Sequence, residues 1–172
     1  MGLNQCKQIC GRQNFVDVWP AVTGRSQPNA MVSILKIDIN RINFGAVNIS
    51  SPNNFWTDNR ERFYKQMAAK VANRTDLSTD DAAEVLIEFY IRSNNVQFNM
   101  KVDETYQLTT QVINSTFVRV SIISETIFGA RHGLETLVQL FAYDDMRNAV
   151  FVSNFTHFLA KLIHNGIPFF FR

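Results

Sequence analysis

The densest group of chemically capable side chains lies in one short stretch, which contains Arg131, His132 and Glu135. On a helix, Arg131 and Glu135 would lie one turn apart and could form an ion pair. His132 could act as a base for a nucleophile, but no Ser or Cys lies in a recognisable nucleophile turn. We therefore expect these residues to have a structural use, inside the domain or at a junction with a neighbouring one, rather than direct substrate contact.

Adjacent carboxylates form a second class of candidates, and three pairs occur: Asp80-Asp81, Asp103-Glu104 and Asp144-Asp145. Hydrolysis of a glycosidic bond needs a proton donor and a second group that stabilises positive charge at the anomeric carbon. Neighbours on a strand, however, point to opposite faces. Nothing near these pairs suggests the desolvation that would raise the pKa of a carboxyl group. We expect all three pairs to be structural and identify no catalytic residue.

The elements that position these residues follow from hydrophobic periodicity. Apolar residues at helical spacing predict one helix from about Asn59 to about Asn73, with Asp58 and Glu61 as a capping box, and a second helix from about Ala130. Alternation predicts strands at residues 33–39, 42–47 (partner of the first), 85–91, 96–100, 106–112 and 118–122 (an antiparallel hairpin), 149–153 and 167–171. This order is typical of an α+β fold with two layers, in which a mostly antiparallel sheet carries two α-helices on one face.

Several stretches resemble one enzyme family. Residues 129–136 read Gly-Ala-Arg-His-Gly-Leu-Glu-Thr and resemble the GARHGLET stretch of the β-N-acetylhexosaminidases of glycoside hydrolase family 20. Upstream, residues 103–108 resemble the DESYxL strand of that family, and residues 19–24 resemble the WPxPTG entry of its arthropod members. Residues 143–147 continue the likeness. The resemblance covers the domain that precedes the catalytic barrel in family members.

The resemblance implies a fold and an activity. In family members this region is a small sheet with two helices on one side, and its helix face abuts the (β/α)8 barrel. The full enzyme removes terminal non-reducing N-acetylhexosamine from chitooligosaccharides or glycoconjugates. Its substrate-assisted retaining mechanism uses an Asp-Glu pair on a barrel strand beyond residue 172, so Asp103-Glu104 is not that pair. We expect the chain to be inactive alone and to need no cofactor.

Domain limits follow from composition and from the resemblance. Residues 1–30 carry Gly and Pro with little periodicity and predict an extended N-terminal arm. Residues 31–166 form the predicted α+β domain, and residues 167–172 would begin the absent catalytic barrel. The resemblance implies that Arg172 binds hydroxyls of the terminal sugar, in the intact enzyme only, a task suited to a planar guanidinium with several donors.

Bulk properties limit the classes of partner. The 17 basic and 15 acidic residues give a net charge of +2 and are scattered without a run of like charge, so neither nucleic acid nor a membrane surface is implied. No apolar stretch has the roughly 20 residues of a spanning helix. The partner that the resemblance implies is the catalytic barrel of the same polypeptide, and it also allows a homodimer of the full enzyme.

Glycosylation sequons indicate the compartment. Four sequons in one short chain favour passage through the secretory pathway, and hence a secreted or lysosomal protein. They lie at Asn48, Asn73, Asn114 and Asn154. The residues after Met1 do not show the apolar segment of a signal peptide, so we expect the start of the chain to be truncated or engineered.

The two cysteines, Cys6 and Cys10, have C-x-x-x-C spacing. A metal site is not predicted, because the chain has no second Cys/His pair with ligand spacing. The two thiols could form a disulfide with each other in a short loop. The resemblance implies another pairing, with cysteines of an N-terminal extension that is absent here.

Two hypotheses about the role of the chain remain. As the scaffold of a larger enzyme, it should expose an apolar helix face that marks an interface. As a stand-alone glycan-binding or interaction protein with the same fold, it should expose aromatic platforms, for which Trp19, Trp56 and residues 169–171 are candidates.

Overall fold

A computed structural model describes residues 34–47, 55–71, 74, 76–93, 97, 102–153 and 155–160. The predicted N-terminal arm and the predicted strand at 167–171 lie outside these ranges, as does the predicted strand at 96–100 apart from Gln97, which is not in a strand. The elements are β1 (Ile34–Val47), α1 (Phe55–Lys70), β2 (Ala83–Ile91), β3 (Tyr106–Asn114), β4 (Phe117–Ser124), α2 (Ile127–Leu140), β5 (Ala142–Asp144), β6 (Ala149–Ser153) and β7 (Phe155–Ala160).

The seven strands form one sheet in the order β5-β6-β1-β2-β4-β3-β7. Four pairings are antiparallel, whereas β2 runs parallel to both β1 and β4. The predicted α+β class with a mostly antiparallel sheet is confirmed. The parallel centre follows from connectivity, because α1 carries the chain from the end of β1 back to the start of β2.

Both helices lie on one face of the sheet, as predicted. Phe89 of β2 and Ile122 of β4 are partners in the parallel register, so their side chains lie on the same face. The ring of Trp56 in α1 packs 4.9 Å from that of Phe89. Gly133 of α2 lies against the side chain of Ile122. The core therefore fills the space between this face of the sheet and the helix layer.

Aromatic side chains fill the junction between the two layers. Phe63 of α1 makes edge-on contacts with Phe44 of β1 at 5.4 Å and with Phe141, directly after α2, at 6.3 Å. Phe63, Phe89 and Phe141 are fully buried. Burial of such a side chain contributes about 1.5–3 kcal/mol, so this junction is a main source of stability for the layer.

The prediction of two paired strands at 33–39 and 42–47 is wrong. The segment is a single strand, β1, whose first part pairs with β6 and whose second part pairs with β2, with an irregular register between Ile37 and Ile42. Asp38 satisfies the polar groups of the irregularity: Asn40 N and Arg41 Nε both donate to its carboxylate. The polar Asn40-Arg41 step is therefore a bulge within one strand and not a turn.

Helix limits also differ from the prediction. Helix α1 begins at Phe55, and Asp58 lies inside its first turn, so the predicted capping box with Glu61 does not cap it. The contact of Trp56 with Phe89 places the first turn on the core, which pattern alone does not show. Strand β6 matches the predicted residues, whereas the short β5 was not predicted. None of the described helices is both long and apolar enough to cross a membrane.

Candidate functional site

The candidate site is built around the N-terminus of α2. Thr126 has extended backbone angles, and its Oγ1 accepts a 3.4 Å hydrogen bond from Gly129 N, which caps the helix. The same hydroxyl donates to the backbone oxygen of Asp103 at 2.6 Å. The N-cap therefore fastens the segment before β3 to the start of α2.

Two glycines bring α2 unusually close to the sheet. A Cβ on Gly129 would lie 2.5 Å from the backbone oxygen of Thr105, and one on Gly133 would lie 2.7 Å from a methyl group of Ile122. No side chain fits at the first position without movement of the backbone. Because these glycines face the sheet, Arg131, His132 and Glu135 lie on the other side of the helix and face away from it.

The outward side chains form an ion-pair group that we call the helix-face cluster: Arg62, Glu104, Arg131, His132 and Glu135. Glu135 Oε1 lies 3.3 Å from Arg131 Nε and 3.3 Å from Arg62 Nη2 of α1. His132 lies between two carboxylates, with Nδ1 3.5 Å from Glu135 and Nε2 3.6 Å from Glu104. The predicted pair of Arg131 and Glu135 is confirmed. Its extension by Arg62 and Glu104 was missed, since both lie far away in sequence.

Glu135 is the acidic centre of the helix-face cluster. The hydrogen bond with His132 lowers the pKa of the Glu135 carboxyl, and the charges of Arg131 and Arg62 add to this against the opposing effect of burial. The side chains of Arg62 and Arg131 are 51% and 41% exposed, against 25% for Glu135. A guanidinium has five N–H donors, so both arginines have donors available on the exposed side of this face.

Lys70 joins the two helices at the opposite end of α2. Its Nζ donates to Val138 O at 2.7 Å and also to Phe141 O. Both carbonyls lie at the C-terminus of α2, where a cation is stabilised by the helix dipole. Burial lowers the pKa of Lys70. The two helices are therefore joined by Arg62 and Glu135 in the middle of α2 and by Lys70 at its C-terminus.

The last residue of the motif in α2 is an internal anchor. The hydroxyl groups of Thr136 and Tyr106 are hydrogen-bonded to each other inside the core, and burial raises the pKa of Tyr106 to about 12. Tyr106 belongs to the 103–108 stretch, and Glu104 of the same stretch lies beside His132. The two separate sequence motifs thus contact each other along their length.

At least one member of each carboxylate pair lies in or next to a turn, and Glu104 lies beside His132 instead. Asp103 Oδ1 accepts from Thr105 N, and Asp144 Oδ1 accepts from Met146 N and Arg147 N. Asp80 and Asp81 are exposed in a turn. Within the described ranges there is no group of three or more His, Cys, Asp or Glu side chains that could hold a metal ion.

The expectation of an exposed apolar helix face is wrong for the part of the chain that the structure describes. Of the large hydrophobic residues exposed there, only Tyr64 belongs to a helix, and its hydroxyl donates to Ile42 O at 2.6 Å. Several exposed positions of α1 carry charge, among them Arg60, Glu61, Arg62 and Lys65. The buried side chains of the two helices, among them Phe63, Met67 and Leu137, belong to the hydrophobic core.

Of the other predicted site residues, the structure describes only Asn114 and Trp56. Asn114 lies exposed at the turn between β3 and β4. Trp56 is partly buried against the core, so it does not form an open aromatic platform. The remaining candidates lie outside the described residues: Cys6, Cys10, Trp19, Asn48, Asn73, Asn154, residues 169–171 and Arg172.

Comparison with known proteins identifies the family. Residues 18–140 match the family described as beta-acetyl hexosaminidase like. The chain belongs to this family. The matched family is the N-terminal domain of glycoside hydrolase family 20 hexosaminidases, and the 129–136 motif and the helix-face cluster lie inside the matched region.

Two curated insect relatives extend the match. The hexosaminidase domain is 28% identical over 151 residues to a chitooligosaccharidolytic beta-N-acetylglucosaminidase of Ostrinia furnacalis, covering 86% of this chain and 24% of the relative. It is 27% identical over 154 residues to the Bombyx mori enzyme of the same name, covering 88% and 25%. The chain therefore spans about a quarter of the length of these relatives.

A solved structure shows the same fold. The X-ray structure of Flavobacterium johnsoniae chitobiase matches with a TM-score of 0.50 and 20% identity, covering 75% of this chain and 18% of the chitobiase.

Proposed function

We propose that this chain is the N-terminal scaffold of a β-N-acetylhexosaminidase and that its helix layer docks on the catalytic (β/α)8 barrel of the same polypeptide. The full enzyme would release terminal non-reducing N-acetylhexosamine from chitooligosaccharides or glycoconjugates by a substrate-assisted retaining mechanism. Family membership and the names of the insect relatives support this proposal. The helix-face cluster is the single structural observation that carries it.

The cluster suits a docking surface because its positive groups are left partly open. Arg62 and Arg131 come from different helices and converge on one carboxylate oxygen of Glu135. Each guanidinium has five N–H donors, so two of them on one carboxylate leave more donors than acceptor sites. A partner surface that places a carboxylate or backbone carbonyl over this point would satisfy them, and charge-assisted hydrogen bonds of this kind are strong.

Under this proposal the chain itself does not catalyse a reaction. Asp103 and Asp144 accept hydrogen bonds from nearby backbone amides, and Glu104 and Glu135 belong to the helix-face cluster. Arg172 would contact the substrate only when the barrel surrounds it. The scaffold would be part of a secreted or lysosomal enzyme, which could also form a homodimer.

The docking test uses the full-length enzyme with Arg62→Gln and Arg131→Gln together. We expect a lower temperature of thermal inactivation and faster cleavage by protease between the domains, with KM unchanged, because the arginines do not touch substrate. Arg119→Gln is the matched control: Arg119 is 48% exposed and pairs with Glu88 at 3.4 Å, but it lies on β4, away from the helices. Equal effects of the double variant and the control would contradict docking through the helix layer.

A second assay tests whether the chain alone hydrolyses or binds the substrate. The chain alone should not hydrolyse a chromogenic N-acetylglucosaminide, and chitooligosaccharides should not quench its Trp fluorescence. Turnover by the chain would refute the scaffold proposal. Saturable quenching would instead favour the stand-alone glycan-binding protein.

A further inference from the structure

The turn between β3 and β4 contains a sequon that the scaffold role does not use. Asn114, Ser115 and Thr116 form the turn, and all three residues are exposed. The turn is held in place from the sheet side, because Glu84 N donates to Thr116 O at 2.9 Å. An exposed but fixed turn is a place where a bulky hydrophilic group can be attached without loss of packing.

The hydrogen bonds of this turn use only one end of the Asn114 amide. Asn114 Oδ1 accepts from Thr116 N at 2.9 Å and from Thr116 Oγ1 at 3.0 Å. The Nδ2 group makes no hydrogen bond within the described ranges. Asn148 differs, because its Nδ2 donates to Asp76 O at 2.6 Å and holds a loop in place. At Asn114 the nitrogen that would carry a sugar is thus free, while the oxygen that shapes the turn is not consumed by the modification.

We infer that Asn114 is an N-glycosylation site whose glycan leaves the folded domain unchanged. The donor would be an oligosaccharide linked to a polyprenyl diphosphate, of the kind that secretory compartments supply. Nδ2 forms a bond to the anomeric carbon and loses one proton to a base, while the bond from that carbon to the diphosphate breaks and the diphosphate leaves with the electron pair. Oδ1 keeps both hydrogen bonds from Thr116.

The position of the turn also keeps a glycan away from the helix-face cluster. In the hairpin, Tyr106 pairs with Ser124 at one end and Asn114 pairs with Phe117 at the other. At a rise of roughly 3.3 Å per residue the two ends are about 26 Å apart. Glu104 and the start of α2 lie at the Tyr106 end. A glycan on Asn114 and a partner on the helix layer would therefore not compete for the same surface.

The test expresses the full chain behind a heterologous signal peptide in a eukaryotic cell line and analyses both the secreted and the microsomal protein. Peptide mass spectrometry follows release of glycans by an amidase in heavy-oxygen water, which converts each glycosylated Asn into labelled Asp. We expect label at Asn114. An unlabelled Asn114 in the recovered protein would overturn the inference, whatever the state of the other sequons.

Matched variants separate the sequon from the turn. Thr116→Ala should abolish labelling at Asn114, whereas Thr116→Ser and Ser115→Ala should retain it, because both keep a hydroxyl residue at the third position. Enzymatic removal of the glycan from the wild-type chain should leave its melting temperature unchanged or lower. A rise on removal would show that the glycan strains the fold and would overturn the structural part of the inference. The assay has no activity readout, so its failure is distinguishable from failure of the scaffold proposal.

Discussion

At the scale of single residues, the helix motif divides into side chains that face inward and side chains that face outward. Thr136 points inward and shares a buried hydrogen bond with Tyr106, whereas Glu135, its neighbour, collects three cationic or protonatable partners on the outer surface. Adjacent residues of one motif therefore contribute to two different properties, the stability of the fold and the character of its surface.

The buried Tyr106 and Thr136 pair gives a stability prediction. Tyr106→Phe should lower the free energy of unfolding by about 1–2 kcal/mol, because the Thr136 hydroxyl would be left buried without a partner. Combining it with Thr136→Val should recover most of that loss, since both polar groups are then removed. Urea unfolding of the two single variants and the double variant measures this coupling. Additive losses would show that the hydroxyls do not depend on each other.

Glu135 gives a prediction about pH. Its pKa in the folded protein lies below the ordinary value of 4.5, so its ionised form adds stability that is fully present above that value. This contribution is lost as pH falls through the lower folded pKa. The stability difference between wild type and Glu135→Gln should therefore shrink between about pH 7 and about pH 3. Glu61→Gln, at an exposed position of α1, is the control. A difference independent of pH would contradict the assignment.

At the scale of elements, the close contact between α2 and the sheet depends on its glycines. Gly129 faces backbone oxygens of Thr105 and Glu104, whereas Gly133 faces a side-chain methyl of Ile122. The first neighbour belongs to the backbone and is hard to move, while the second is a side-chain methyl group. The two positions therefore differ in how much a side chain would disturb the packing.

Alanine substitutions test this difference. Alanine favours a helix over glycine by about 1 kcal/mol, so propensity alone predicts that both changes stabilise the chain. We expect Gly129→Ala to destabilise it by more than about 2 kcal/mol, because overpacking forces the backbone to shift. Gly133→Ala should cost less. Chemical denaturation followed by circular dichroism measures both, and a stabilised Gly129→Ala variant would refute the close-packing argument.

At the scale of the whole molecule, the charged outer face of the helix layer predicts an ionic and not an apolar interface with the proposed barrel. An apolar interface would strengthen in salt, whereas ion pairs are screened, with a Debye length of about 8 Å at physiological ionic strength. The full-length enzyme should therefore lose thermal stability as sodium chloride increases. The variant with Arg62→Gln and Arg131→Gln should lose less. Equal salt dependence of both proteins would argue against an ionic interface.

The sequence determined much of this protein by itself. Period-two alternation located β2 and the hairpin of β3 and β4, because one face of each strand is buried. Helical spacing located both helices, and the spacing of Arg131 and Glu135 predicted their ion pair. These features are local, since they depend on residues a few positions apart.

Only the tertiary structure decided the rest, because the remaining contacts join residues far apart in the chain. Arg62 reaches Glu135, and Glu104 reaches His132, only after α1 and the segment before β3 have packed beside α2. The bulge in β1 depends on two different neighbouring strands. The outward surface of the helices is charged, and no local pattern shows which of its residues contact side chains that are distant in sequence.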